Sequence, residues 1–112
     1  MTTMVAALIE SKEAATSTAA ADYTAPAGTR AQIDKLTLTN NSGSARTVDV
    51  YLVPPSGSPG ATNKIVAAKA VANGADETIS TVAAHALMPG GSVYVVASGA
   101  GVSVRMTGRT HA

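Results

Sequence analysis

Apolar and polar side chains alternate one for one over much of this chain. Val48, Val50 and Leu52 share one parity, and Thr47, Asp49 and Tyr51 share the other. A helix repeats every ~3.6 residues and would scatter these groups around its surface, whereas a strand sends successive side chains to opposite faces. The alternation therefore predicts a half-buried strand over Arg46–Val53. Leu36, Leu38 and Asn40 alternate with Lys35, Thr37 and Thr39, which predicts a second. Ile33 is out of phase with Leu36, and a bulge near Asp34 reconciles the two. Val93, Val95 and Ala97 predict a third strand. Val102, Val104 and Met106, with Ser103, Arg105 and Thr107 facing outward, predict a fourth. Weaker patterns place strands at Met4–Ile9, Ile65–Val71 and Glu77–Thr81, and Thr16–Thr24 is a further candidate.

The punctuation between these runs suits short strands. Asn40–Ser44, Asn73-Gly74 and Pro89-Gly90-Gly91 read as turns or loops. Ser98-Gly99-Ala100-Gly101 reads as a tight hairpin joining the last two strands. Pro54-Pro55-Ser56-Gly57-Ser58-Pro59-Gly60 cannot continue a sheet, because proline has no ladder donor; it is expected to project as a loop. Val82–Met88 is rich in good helix formers and is the one short segment with a helical option. Ser11–Ala21 is ambiguous by propensity and is read as extended. The whole pattern predicts an all-β chain, a jelly-roll or immunoglobulin-like antiparallel β-sandwich of about seven or eight short strands.

Length and composition bound the rest. The 112 residues suit one domain, 1–112. The core must be built from small groups, because 23 of the apolar residues are Ala and there is no Phe, Trp or Cys. Disulfides, cysteine-based zinc sites and thiol nucleophiles are excluded. So thin a core is a first hint that a partner surface contributes to stability, and self-association is expected. Eight basic side chains nearly balance seven acidic ones, a poor magnet for nucleic acid or anionic lipid. No apolar run reaches the ~18–20 residues of a membrane span. The first ten residues lack the basic leader of a signal peptide, so synthesis and retention in a cytosol are expected. Neither nucleic acid nor membrane is an expected partner.

The catalytic inventory is thin. His85 lies among alanines and His111 is penultimate; no His-x-x-x-His or Glu-x-x-His spacing exists to hold zinc. Asp76 and Glu77 have too few neighbouring oxygen ligands for a calcium loop and read as a solvated turn. The Gly-rich segments lack a following helix with Lys-Ser/Thr, and there is no Gly-x-Ser-x-Gly elbow. No catalytic, cofactor or metal site is expected, and the protein is not expected to be an enzyme.

Interface candidates remain. Arg105 and Arg109 share an outward parity on the last strand and are open to an acidic partner or to solvent. Tyr51 and Tyr94 lie opposite the apolar faces of their strands, where they either mark an interface or fill a second sandwich face. Pro54, Pro55 and Pro59 keep their loop preorganised for a contact. Met4, Val5, Leu8 and Ile9 are among the largest apolar side chains of the chain. They form either the first strand of the sandwich or, within residues 1–22, an extended arm that adds a strand to a neighbour.

One ordered set of segments carries a resemblance. It comprises Tyr23-Thr24-Ala25-Pro26-Ala27-Gly28-Thr29-Arg30, Ile33–Asn40, Val48-Asp49-Val50-Tyr51-Leu52-Val53-Pro54, Ala72-Asn73-Gly74 with Glu77, Leu87-Met88-Pro89-Gly90-Gly91-Ser92-Val93, and Val102–Gly108. In this order, over about residues 23–108, the chain resembles small β-rich proteins of tailed-phage and prophage structural modules. The resemblance implies a virion structural protein of capsid decoration, or cement, type. Such a protein binds and bridges major capsid protein subunits on the shell exterior, after assembly in the host cytoplasm. A neck or tail accessory protein, or a fibre anchor, is the alternative within that class. A carbohydrate-binding module for host adsorption is the alternative outside it, and the lack of Trp counts against that. The resemblance brings no catalytic motif.

Overall fold

Nine strands and one short turn of 3-10 helix make up the computed structural model, which describes residues 3–112. The strands are β1 (Thr3–Glu13), β2 (Tyr23–Thr24), β3 (Arg30–Asn40), β4 (Arg46–Val53), β5 (Lys64–Val71), β6 (Asp76–Thr78), β7 (Ala86–Leu87), β8 (Ser92–Ala97) and β9 (Val102–His111). They form two antiparallel sheets. One has the order β1-β9-β3-β6, with β7 also paired to β3; the other has the order β2-β8-β4-β5.

The pairing is nested. β4 pairs with β5, β3 with β6 and β7, β2 with β8, and β1 with β9. A long hairpin closed at β4–β5 has in effect been rolled up, with β6 and β7 sharing one strand position. This is the jelly-roll arrangement of two four-position sheets. Among the described residues β4 and β5 are the only consecutive strands that pair directly, which separates the fold from the immunoglobulin order, where several do. It also corrects the expected hairpin at Ser98–Gly101. β8 lies between β2 and β4, and β9 lies between β1 and β3, so this loop crosses from one sheet to the other.

The alternation is realised as burial. Ile33, Leu36 and Leu38 of β3 and Val102, Val104 and Met106 of β9 face Val48 and Val50 of β4 and Val93, Val95 and Ala97 of β8 across the core. The parity slip in β3 is taken up by a register shift between Ile33 and Lys35, at Asp34. Leu8 and Ile9 are buried in the same cluster, so β1 is part of the chain's own sandwich. Residues 16–20 form an exposed bend rather than a strand, with only Tyr23–Thr24 paired. Where Val82–Met88 has a helical option, the chain makes the 3-10 turn Ser80–Val82 and then β7. Backbone bonds from Ile33 N to His85 O and from Ala84 N to Ile33 O tie this stretch to β3 in place of a helix.

The segment between β1 and β2 closes one side of the sandwich. Ala97 N donates to Ala15 O, and Asp22 N donates to Val93 O. The Asp22 carboxylate accepts from Val95 N at 2.7 Å and pairs with Lys12 Nζ at 2.6 Å, although its side chain is only 4% exposed. The end of β1 is thereby stapled, through Asp22, to β8 of the opposite sheet.

Candidate interaction surfaces

The strand directions sort the loops to two ends. β3, β5 and β8 finish where β4, β6 and β9 begin. That end carries the loops 40–45, 72–75 and 98–101, whose exposed residues are mostly Asn, Ser, Gly and Ala. It is closed by hydrogen bonds around Asn40, a fully buried polar residue. Asn40 Nδ2 donates to Ser44 O at 2.8 Å and to Val71 O at 2.9 Å, and Oδ1 accepts from Ser42 N at 2.9 Å. Gly43 N donates to Asn73 Oδ1, and Arg46 Nε to Ala100 O.

The other end is different in kind. It gathers the start of β1, the end of β9, the 54–63 loop and the 85–91 segment. The three exposed large apolar side chains found among the described residues, Met4, Val5 and Met88, all lie here. Met88 stands between two hollows. One, of about 290 Å³, is lined by Leu52, Pro54, Pro55, Ile65 and Leu87, with His85 at its wall. The second, of about 240 Å³, is lined by Arg30, Ala31, Gln32, Ala86 and His111. The register sets Met4, Thr110, Ala31 and Leu87 abreast across four strands. Ala31 and Leu87 are buried, but Met4 at the outer corner is 59% exposed.

The residues singled out from the sequence therefore do not form one patch. Leu8 and Ile9 belong to the core, which corrects their reading as interface residues: Ile9 pairs with Met106 and Leu8 packs beside Gly108, inside the sandwich. Pro54 and Pro55 are exposed at the apolar end, while Pro59 is half-buried. The 54–63 loop is folded back on itself: Gly57 N donates to Pro54 O, and Asn63 bonds both Gly60 N and Ser58 O. Arg105 and Arg109 do face outward on β9, but each already has a partner. Arg109 binds both oxygens of Asp34, at 2.9 and 3.2 Å, and these bonds raise its pKa further above its ordinary value. Arg105 contacts Ser11 at 3.2 Å and Glu10 at 3.7 Å.

Tyr51 lies directly opposite Tyr94 on the outer face of the second sheet. Lys64 Nζ stands 5.4 Å from the Tyr51 ring centre and 3.6 Å from Asp49. The attraction of Asp49, followed by that of Tyr51, raises the Lys64 pKa. The cation thus lies over the Tyr51 ring in cation–π range. Tyr23 faces the other way, against the core, where burial raises its pKa.

Met88 was missed as a functional candidate. Its signal was available, since it is one of few large apolar residues and it directly precedes the Pro89-Gly90-Gly91 turn. No group of three or more His, Asp or Glu able to hold a metal ion occurs among the described residues. Comparison of the chain with protein-family models, with curated protein sequences and with solved structures finds no match.

Proposed function

We propose that this chain is a tailed-phage virion protein of the decoration type, which binds major capsid protein subunits on the shell exterior and bridges them. The observation that carries the reading is the gathering of Met4, Val5, Met88, Pro54 and Pro55 at one end, opposite a polar end closed by its own hydrogen bonds. A molecule so polarised has one end to seat and one end to leave in water. The seating end offers an apolar side chain between two shallow hollows, and its proline loop is held by internal bonds, so docking orders little additional chain. The partner in this reading, a major capsid protein, rests on the resemblance of the ordered sequence segments to small β-rich phage structural proteins. The carbohydrate-binding alternative has less support, because the chain has no Trp and Lys64 stands over Tyr51.

Copy number in purified particles tests the proposal. Quantitative mass spectrometry should find this chain in copies approaching those of the major capsid protein, or a simple fraction of them. A count of about a dozen or fewer, as ring symmetry gives, would transfer the chain to the neck or tail. Its absence from particles would remove the virion reading altogether.

A further inference from the structure

We infer that the outer edge of β1, over Thr3–Ala7, pairs antiparallel with the same segment of a second copy of this chain, across a two-fold axis at Val5. A sheet edge presents a row of unpaired N–H and C=O groups, and proteins blunt such edges with short strands, charges, prolines or bulges. The other edges of this sandwich are blunted. β2 and β7 are two residues long and β6 is three. β5 carries Lys64 and Lys69, two register shifts against β4, and Ala68 in a left-handed conformation at φ 50°. β1 has 11 residues, and only its second half is protected, by Glu10, Lys12, Glu13 and two register shifts against β9. Its first half, Thr3-Met4-Val5-Ala6-Ala7, runs in unbroken register from His111 to Thr107 and contains no charge, proline or glycine. This flat stretch bears Val5, 80% exposed, and Met4, 59% exposed.

The segment suits its own copy. About an axis at Val5, antiparallel pairing sets Val5 opposite Val5, Met4 opposite Ala6 and Thr3 opposite Ala7. Residues opposite one another in such a pair share a face, so outward residues meet outward ones and both sandwiches stay on the same side of a continuous sheet. No charge meets a like charge within the ladder. The nearest cation on the Val5 row is Arg109, already neutralised by two bonds to Asp34. The register shifts and charges of β1 lie at residues 8–13, outside the Thr3–Ala7 stretch that pairs. Such an isologous contact closes as a dimer. Five paired residues on each side fall short of the ~1,200 Å² of a standard stable interface, so the association is concentration-dependent.

Two variants of the full chain test this. The protein has no Cys, so Val5→Cys introduces a single thiol. Across the proposed axis the two Cα atoms would lie about 4.5–5.5 Å apart, within the ~4.4–6.8 Å span of a disulfide. Under mild oxidation Val5→Cys should form covalent dimer at least about tenfold faster than Thr47→Cys, an exposed position on the other sheet. Val5→Lys places two like charges on the axis. In sedimentation velocity across a concentration series it should weaken wild-type association by about tenfold or more, with the melting temperature unchanged. Equal cross-linking rates for the two Cys variants would overturn the inference. So would a wild-type chain that stays monomeric at every concentration, or a dimer that survives Val5→Lys. The two-fold reverses strand direction and turns the two apolar ends opposite ways, so this pairing is a state of the free chain that seating on a shell would replace. These measurements use the free protein, so their failure leaves the virion reading standing, and the loss of that reading leaves the edge pairing intact.

Discussion

Gly108 sits where a side chain would collide with the chain's own backbone. A Cβ there would run into the Gln32 carbonyl oxygen and come within 2.8 Å of Leu8 Cδ1. The register shift at Asp34 falls beside this row, where Gly108 pairs with Ile33. Because β9 is flanked by β1 and β3, neither neighbour can move aside cheaply. Gly108→Ala should therefore destabilise the fold by about 1–3 kcal/mol, the ordinary range for overpacking. Urea unfolding against Gly28→Ala separates crowding from conformation: at Gly28 a Cβ meets nothing within 4 Å, but φ is +74°. A loss at position 108 no larger than an exposed surface change would refute the crowding argument. The bulge at Asp34 is legible in the sequence, because Ile33 and Leu36 are three apart in an alternating run. Gly108 is not, since it falls at an inward position of an unbroken alternation and nothing local marks the close approach. Asn40 is legible only in part. Its parity with Leu36 and Leu38 places it inside, but its bonds to Ser44, Val71 and Ser42 depend on loops that meet only in three dimensions.

At the scale of elements, strands bury one face and announce it by period: the strand at Arg46–Val53 has the expected bounds with Val48 and Val50 inside, although at its end Val53 is buried and Leu52 only partly so. Their partners are not written in the same way. Turn chemistry at Ser98–Gly101 fits a hairpin and a crossing between sheets equally well, and the choice is made by β2 and β4, which occupy both edges of β8. Val82–Met88 has helical propensity, yet two turns are too few to hold a helix alone, and the open edge of β3 captures the backbone instead. β1 resolves its two readings by halves: Leu8 and Ile9 fill the core, while Met4 and Val5 remain outside. Deleting residues 1–12 should therefore leave a chain that does not fold. It loses the edge of one sheet, two core side chains and Lys12, the partner of the nearly buried Asp22. Circular dichroism and a thermal melt decide this. A cooperative transition near that of the full chain would mean that β1 is dispensable to the sandwich.

On the scale of the whole molecule, the body measures 45 × 26 × 20 Å, and its two ends differ chemically. Sequence order hides this, because Met4, Pro54 and Met88 lie far apart along the chain and are gathered only by the nested strand pairing. If the apolar end seats on the capsid, a charge there should interfere with attachment, and a charge at the far end should not. Met88 is 46% exposed and stands between the two hollows, so Met88→Asp puts a carboxylate where an apolar contact is expected, at a cost of about 1–3 kcal/mol of binding for a desolvated charge without a partner. Ser44 is exposed on the polar end, and Ser44→Asp adds the same charge there. Particles stripped of the protein and titrated with each variant should bind Ser44→Asp like the parent chain and Met88→Asp about tenfold or more weakly, corresponding to about 1.4 kcal/mol or more. Melting temperatures of the free variants guard against a folding defect, since Met88 contributes an exposed side chain and its loss should shift the melt little. Equal binding by both variants would mean that attachment does not use this end, and weakened binding by Ser44→Asp alone would invert the molecule on the shell.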